Sequence, residues 1–461
     1  MSAKNKTQPI DANALSSEKR LHSLIQTVIR LGKEAGAEET EVHLDETLDA
    51  LTRFANNGIH QNVAEHGLTV SVRTVLDGKT SRVTTNKLDE DSLRAAIESS
   101  LSLAASQPKA PHLLPMPGKQ RYAGVKRFVK STAELSAADR ARAVRRACDL
   151  AVEAGQVAAG IFVSGQMQSA LGNSRGLFAS YRQTRSEFSI TMQEGAATSW
   201  AKGNAADVRD LAPQALTQTA SRKAKVATSA AELAPGKYTV ILEPAAVLDL
   251  VGFLFYDFSA TALEDKRSCF NDRMGKPLFG ENISVCDDAY HPGQLGAPFD
   301  GEGMPRQRVI LVDKGIPRNL VYSRASAKRA RKKPTGHGFA LPNEYGEAPM
   351  NLVFSGGKSS IEEMIASTDE GLLVTRLWYI REVDPYEKVM TGMTRDGLFR
   401  VQKGKVTTAA RNFRFNQSVL EMLRNVKMMS PAVRSTGEEA FEMVVPAMKI
   451  NGFQFTEATK F

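Results

Sequence analysis

From Ser17 onward, Leu21, Leu24, Ile25, Val28 and Leu31 recur at helical spacing and stop at Gly36, which predicts a capped amphipathic helix. The pattern then becomes strand-like over Glu41–Leu44, Leu51–Ala55, Ile59–Val63 and Leu68–Leu76. An Asp77-Gly78 turn leads into Thr80–Thr84 as a hairpin would. A second amphipathic helix is expected over Asp89–Ala105, through Leu93, Ile97 and Leu101. Residues 107–130, with four prolines, read as a linker or surface excursion. The order then begins again. Ser136 caps a predicted helix over Ala137–Ala154, and strands are expected at Ala158–Gln166, Gly176–Gln183 and Glu187–Gln193, with a helix near Asp207–Ala224. AGAEETEVHLDETLDALTRFANNGI and AGQVAAGIFVSGQMQSALGNSRGL run in parallel, each with an asparagine-containing turn (Asn56-Asn57-Gly58, Asn173-Ser174). The expectation is an internal duplication, 15–105 and 136–225, inside an N-terminal α+β domain of residues 1–232.

Past Leu233 the chain is richer in strands and turns. Tyr238–Leu242 reads as a strand, Glu243-Pro244 as a turn, and Ala245–Phe258 as an almost wholly apolar helix. Arg308–Asp313 and Arg318–Tyr322 flank Lys314-Gly315-Ile316-Pro317 as hairpin strands. Ser359-Ser360-Ile361-Glu362 has a capping-box pattern that should start a helix over Ile361–Thr368. Leu372–Ile380 is strand-like, and Leu398–Lys403 with Lys405–Ala409 forms a hairpin candidate around Gly404. Gln417–Lys427 is expected to be helical and Phe441–Ile450 to be a closing strand. The fold class is α+β, with a mostly antiparallel, barrel-like C-terminal domain over 233–461.

Composition narrows the class. A chain of 461 residues suggests two domains, and 42% hydrophobic with 24% charged residues is globular. The longest strongly apolar run, Leu250–Tyr256, is too short for a membrane span. MSAKNKTQPIDANALSSEKR has no apolar core of a secretory signal, and Cys148, Cys269 and Cys286 form neither a disulfide framework nor a CxxC pair. The cytoplasm is the expected location. The net charge of +9 is mostly dispersed; Arg324, Lys328, Arg329, Arg331, Lys332 and Lys333 form its one cluster. Their spacing suits a solvated helix ending at Pro334, or a docking patch for an acidic partner. No nucleic-acid-binding signature accompanies it, so nucleic acid is not the expected partner.

Catalytic chemistry is sparse. The seven histidines show no H-x-x-x-H or H-x-H spacing, and there is no G-x-S-x-G elbow. Asp249 and Asp257, eight apart, are either a carboxylate pair on one helix face or ordinary helix-edge residues. His337, between Gly336 and Gly338, is either a turn-stabilising histidine or a functional one, because its glycine neighbours permit close backbone approach.

Several separated motifs carry a family resemblance. FANNGIHQN, APFDGEGMPRQRVILVDKGIPRNLVYSRASAKRARKKPTGHG, TGMTRDGLFRVQKGKV and VVPAMKINGF resemble, in order, segments of the TldD/PmbA family of peptidases, nearer its PmbA (TldE-like) branch. In the catalytic branch the helix after the Glu-Pro turn carries a zinc-binding H-E-x-x-x-H. Aligned through Pro244, those positions fall here on Gly252, Phe253 and Asp257, and the further cysteine ligand of that branch is missing because no cysteine follows Cys286. The resemblance implies a chain without its own zinc or catalytic residues, paired with a TldD-like subunit that supplies the metal, or a homodimer. An extended peptide would be the substrate, and His337, Arg324 and Asp257 are the substrate or interface candidates. A stand-alone hydrolase using Asp257, and a binding or scaffold protein, are the alternatives.

Overall fold

The structure is a computed structural model in which residues 14–228 and 230–459 are described; residues 1–13, within the N-terminal segment read above, lie outside them. α1 (Glu18–Glu34) starts where the Ser17 side chain accepts the Arg20 N–H. β1 (Glu39–Ala55), β2 (Gly58–Leu76), β3 (Lys79–Thr85) and α2 (Glu90–Ser106) follow. Two long strands stand where four short ones were expected. Polar residues around Asp45–Ala50 hide the apolar alternation, but β1 is hydrogen-bonded along its length by β2 on one side and β4 on the other. Asn56 and Asn57, like Asp77 and Gly78, all have positive φ, the geometry of two-residue hairpin turns whose twist suits the flanking strands.

The chain continues through α3 (Lys130–Ala133), α4 (Ala137–Glu153), β4 (Val157–Asn173), β5 (Phe178–Glu194), β6 (Ala197–Ala205) and α5 (Pro213–Ala227). β6 was not expected, since ATSWAKGNA alternates weakly. α5 begins later than predicted because Pro213 occupies its first turn, where a missing N–H costs nothing. The six strands form one sheet in the order β3-β2-β1-β4-β5-β6. Its even-numbered residues Val42, Leu44, Val70 and Val72 pack on α1, and Phe162, Phe188, Ile190 and Met192 on α4. Strand alternation therefore turns Tyr181, Gln183, Arg185 and Glu187 to the opposite face, towards the C-terminal half.

The proline-bearing stretch after α2 is a fastened strap. Met116 is buried, the Tyr122 hydroxyl donates to the Gly303 carbonyl at 2.8 Å, and the Arg127 guanidinium donates to the His291 carbonyl at 2.8 Å.

The C-terminal half runs through β7 (Ala230–Ala231), β8 (Gly236–Leu242), α6 (Pro244–Val251), α7 (Ala260–Glu264), β9 (Val285–Asp287), β10 (Val309–Asp313), β11 (Ile316–Pro317), α8 (Arg324–Arg329) and β12 (Leu352–Phe354). It ends through α9 (Ile361–Ala366), β13 (Glu370–Asp384), β14 (Val389–Gln402), β15 (Lys405–Ala410), β16 (Phe413–Ser418), α10 (Val419–Arg424), β17 (Val426–Met429), β18 (Val433–Ser435), β19 (Met443–Val445) and β20 (Met448–Ala458). One sheet has the order β11-β10-β9-β12-β19-β18. In the other, β13-β8-β20-β16-β14 closes on itself because β14 also pairs with β13. This closed ring gives the barrel-like character, and one core joins it to α6.

Several boundaries move. The hairpin pairs Val312 with Pro317 around Lys314-Gly315, so Arg318–Tyr322 is not its second strand. The capping box is Ser360 with Glu363, one residue later than read, and its helix stops at Ala366. Only Val419–Arg424 of Gln417–Lys427 is helical, since strands claim both flanks. Phe441–Ile450 divides at Pro446 into β19 and β20, which belong to different sheets.

Candidate functional site

The strand–turn–helix frame around the motif positions is intact. β8 delivers Glu243, whose carboxylate is bound by Lys223 Nζ at 2.6 Å, and Pro244 opens α6. The regular helix, however, ends at Val251 and not at Phe258. Gly252–Leu254 and Tyr256–Phe258 are 3₁₀ turns, whose tighter winding seats Gly252 against Ala440. A Cβ built on Gly252 would lie 2.4 Å from the Ala440 Cβ, inside any real contact distance. No imidazole fits there without moving that loop. Phe253 packs against the main C-terminal core.

Asp257 is the one motif position with a metal-binding group, and it is already engaged. Its Oδ1 accepts the Cys269 N–H at 2.7 Å, and its Oδ2 pairs with Lys388 Nζ at 2.7 Å. Lys388 also pairs with Glu382 at 2.7 Å. Burial pushes the Asp257 carboxyl above its usual range, with the ammonium opposing that shift. Burial, followed by the Asp257 charge, pushes the Cys269 thiol up, which makes it a poor nucleophile. The residues at these positions do not fit zinc. Among the described residues, no three His, Cys, Asp or Glu side chains converge as a metal site requires.

Asp249 and Asp257 do not act as a pair. The Asp249 side chain is fully buried and its Oδ1 accepts the N–H groups of Glu438 and Glu439, each at 3.0 Å. Burial raises its carboxyl to about 7 despite these donors.

His337 is buried. Its Nε2 lies 2.9 Å from Asp287 Oδ1 and its Nδ1 2.9 Å from Thr335 Oγ1. Asp287 Oδ2 accepts the Asn351 N–H at 2.6 Å. Burial alone would raise the Asp287 carboxyl, but His337 and then Arg306 hold it below the usual range. Gly336 has φ 74 and a Cβ there would sit 2.1 Å from the Pro305 carbonyl oxygen, so the tight turn requires glycine. Nearby, Asp300 accepts the Gly338 N–H at 2.7 Å, and Glu347 gathers Ser259, Thr261, Ser323 and Ser326. The Asp300-Gly301 turn and the Thr335-Gly336-His337-Gly338 turn are thus two sides of one buried polar knot. Arg324 belongs to its edge: its N–H donates to Glu302 and its guanidinium to the Pro115 carbonyl of the strap. Lys328, Arg331, Lys332 and Lys333 are exposed around the end of α8.

A cleft of about 510 Å³ lies between the face of β4–β6 turned away from α4 and the C-terminal loops. Tyr181, Glu187 and Asn204 line one wall; Arg306, Asn351 and Arg434 line the other. Phe441 closes one side, with its ring edge-on to Phe255 at 5.6 Å, so the cleft borders the segment carrying the motif positions. Sequence reading missed this site because its residues alternate with core positions along strands or sit in loops far apart in the chain.

Comparison with known proteins matches residues 41–104 to the PmbA/TldA metallopeptidase domain 1, residues 128–228 to its central domain and residues 235–457 to its C-terminal domain. The chain belongs to the PmbA/TldD family. An uncharacterised protein of Methanocaldococcus jannaschii is 23% identical over 435 residues, spanning 90% of this chain and 99% of that one. The metalloprotease PmbA of Escherichia coli O157:H7 is 23% identical over 293 residues, 61% of this chain and 62% of that one. The crystal structure of TldE from Thermococcus kodakarensis has the same fold, with a TM-score of 0.85 at 20% identity over 94% of this chain and all of that one. No described helix is long and apolar enough to cross a membrane.

Proposed function

We propose that this chain is the metal-less, PmbA/TldE-like subunit of a two-component peptidase of the PmbA/TldD family, acting in the cytoplasm beside a TldD-like chain that supplies the zinc. The observation that carries this reading is the packing of Gly252 on Ala440, which fills the place of the first motif histidine with backbone and methyl group. The Asp257–Lys388 pair supports it, because a fixed ammonium already neutralises the carboxylate at the third position. The chain's contribution is then structural: walls, a cleft and sheet edges against which an extended peptide can be held through its backbone. Hydrolysis takes place on the partner.

The test is zinc content and peptidase activity of this chain alone, of a TldD-like relative bearing H-E-x-x-x-H, and of their mixture. Activity and zinc should follow the relative, and the two chains should copurify. A stoichiometric metal on this chain alone, lost together with hydrolysis in Asp257→Ala, would overturn the reading in favour of a stand-alone hydrolase. A stable homodimer indifferent to every such relative would overturn it in favour of a scaffold.

A further inference from the structure

The cleft beside the segment that follows α6 gathers several unpaired polar atoms. Arg306 Nε, Arg434 Nε and Asn351 Nδ2 are buried without a hydrogen-bond partner, and so is Asn204 Oδ1 across the gap. All four residues line the cleft. A buried, unmade hydrogen bond is unfavourable, so several such atoms gathered around one cavity point to a polar occupant there.

The rest of each side chain is anchored. The Asn351 side chain is almost wholly buried, and its backbone N–H is fixed on Asp287, which His337 holds from the other side. Gly296 makes room for its amide, since a Cβ there would fall 1.9 Å from Asn351 Oδ1. Arg434 donates through Nη1 to the Gly293 carbonyl at 3.0 Å, and Arg306 through Nη1 to the Gly336 carbonyl at 3.3 Å. The unpaired Nε and Nδ2 groups are shielded from solvent within side chains that line the cleft. The polarity is divided. Three unpaired donors, two of them on cations, belong to the wall built by the C-terminal loops. The unpaired acceptor, Asn204 Oδ1, belongs to the sheet wall with Glu187, and Glu442 bridges the two walls, 3.5 Å from the Asn204 amide nitrogen and 3.9 Å from Arg434 Nη2.

We infer that this cleft binds the carboxyl-terminal end of a short peptide. The α-carboxylate would be received by Arg306, Arg434 and Asn351, and the N–H or ammonium groups would lie towards Asn204 and Glu187. A carboxylate has two oxygens able to accept several N–H donors at once, and guanidinium geometry matches it. Glu187 and Glu442 disfavour a dianion such as phosphate in the same space. The volume suits a few residues and no folded domain. The inference stands whether or not the chain works beside a metal-bearing partner.

Isothermal titration calorimetry of the full chain with trialanine, trialanine amide and inorganic phosphate tests it. Trialanine should bind. The amide, and trialanine with Arg434→Gln or Arg306→Gln, should each bind at least about tenfold more weakly, the loss expected for one charge-assisted hydrogen bond. Thermal melts should show the two variants folded, and the acid–amide comparison needs no variant at all. Equal binding of acid and amide, tighter binding of phosphate than of trialanine, or no binding of trialanine at millimolar concentration would each overturn the inference.

Discussion

Asp257, in the 3₁₀ segment that follows α6, and Lys388 form a buried charge pair. Removing one partner of a buried pair leaves the other unneutralised, which typically costs about 3–5 kcal/mol. Glu382, about a third exposed, retains part of the ammonium's solvation, so Asp257→Ala should fall near the lower end. The double change Asp257→Ala with Lys388→Met should recover most of the loss, and urea denaturation of the three variants checks this. Asp249 sets a different kind of test. Folded, its carboxyl keeps a proton up to about pH 7; unfolded, it releases it near pH 4. The native state therefore binds more protons between those values, and this group's contribution to stability falls as pH rises from about 4 to 7. Asp249→Asn should remove that fall, gaining relative to the parent by up to about 4 kcal/mol between pH 4 and pH 8. A difference that stays flat with pH would show that Asp249 does not titrate there. Neither residue's role was legible in advance. The motif positions Gly252, Phe253 and Asp257 could be read from the sequence, but Lys388 reaches them from the turn between β13 and β14 and Ala440 from the loop between β18 and β19, and no local pattern announces either.

At the level of elements, what the sequence disclosed follows from how local the cause is. Caps at Ser17, Asp89 and Ser136 were visible because the side chain and the N–H it accepts lie three residues apart. Strand lengths were not, because β1 and β4 are held by ladders on both edges and tolerate polar residues on the face turned to the C-terminal half. Asn56 makes the turn chemistry testable. At φ 50 it can be replaced by glycine with little change, whereas Asn56→Val should cost about 1–2 kcal/mol, since a β-branched residue resists the left-handed region. Chemical denaturation of the two variants separates the outcomes. Equal stability would mean that the hairpin relaxes into another turn. The strap was read from its prolines as a possible linker; its hydrogen bonds to Gly303 and His291 involve partners that only the folded chain brings near.

On the scale of the molecule, the two halves differ in how their strands are distributed along the chain. The N-terminal sheet and its helices are complete by Ala227, so residues 14–228 contain every strand of that sheet and two of the cores. That fragment is expected to melt cooperatively by circular dichroism, while residues 236–447, lacking β20, should show no cooperative transition and should be digested rapidly by protease. A structureless N-terminal fragment would refute the independence of that half. The reason lies in the ring of strands. β8 sits between β13 and β20, and its pairing with β20 joins positions roughly 200 residues apart, a contact whose loop-closure entropy delays folding. During synthesis, then, the apolar segment of β8 and α6 leaves the ribosome long before its neighbour exists. The finished N-terminal half is the one surface at hand on which that segment can shelter. Its exposure in that interval marks it as the stretch a chaperone would hold, and the place where slow or interrupted translation would turn into aggregation.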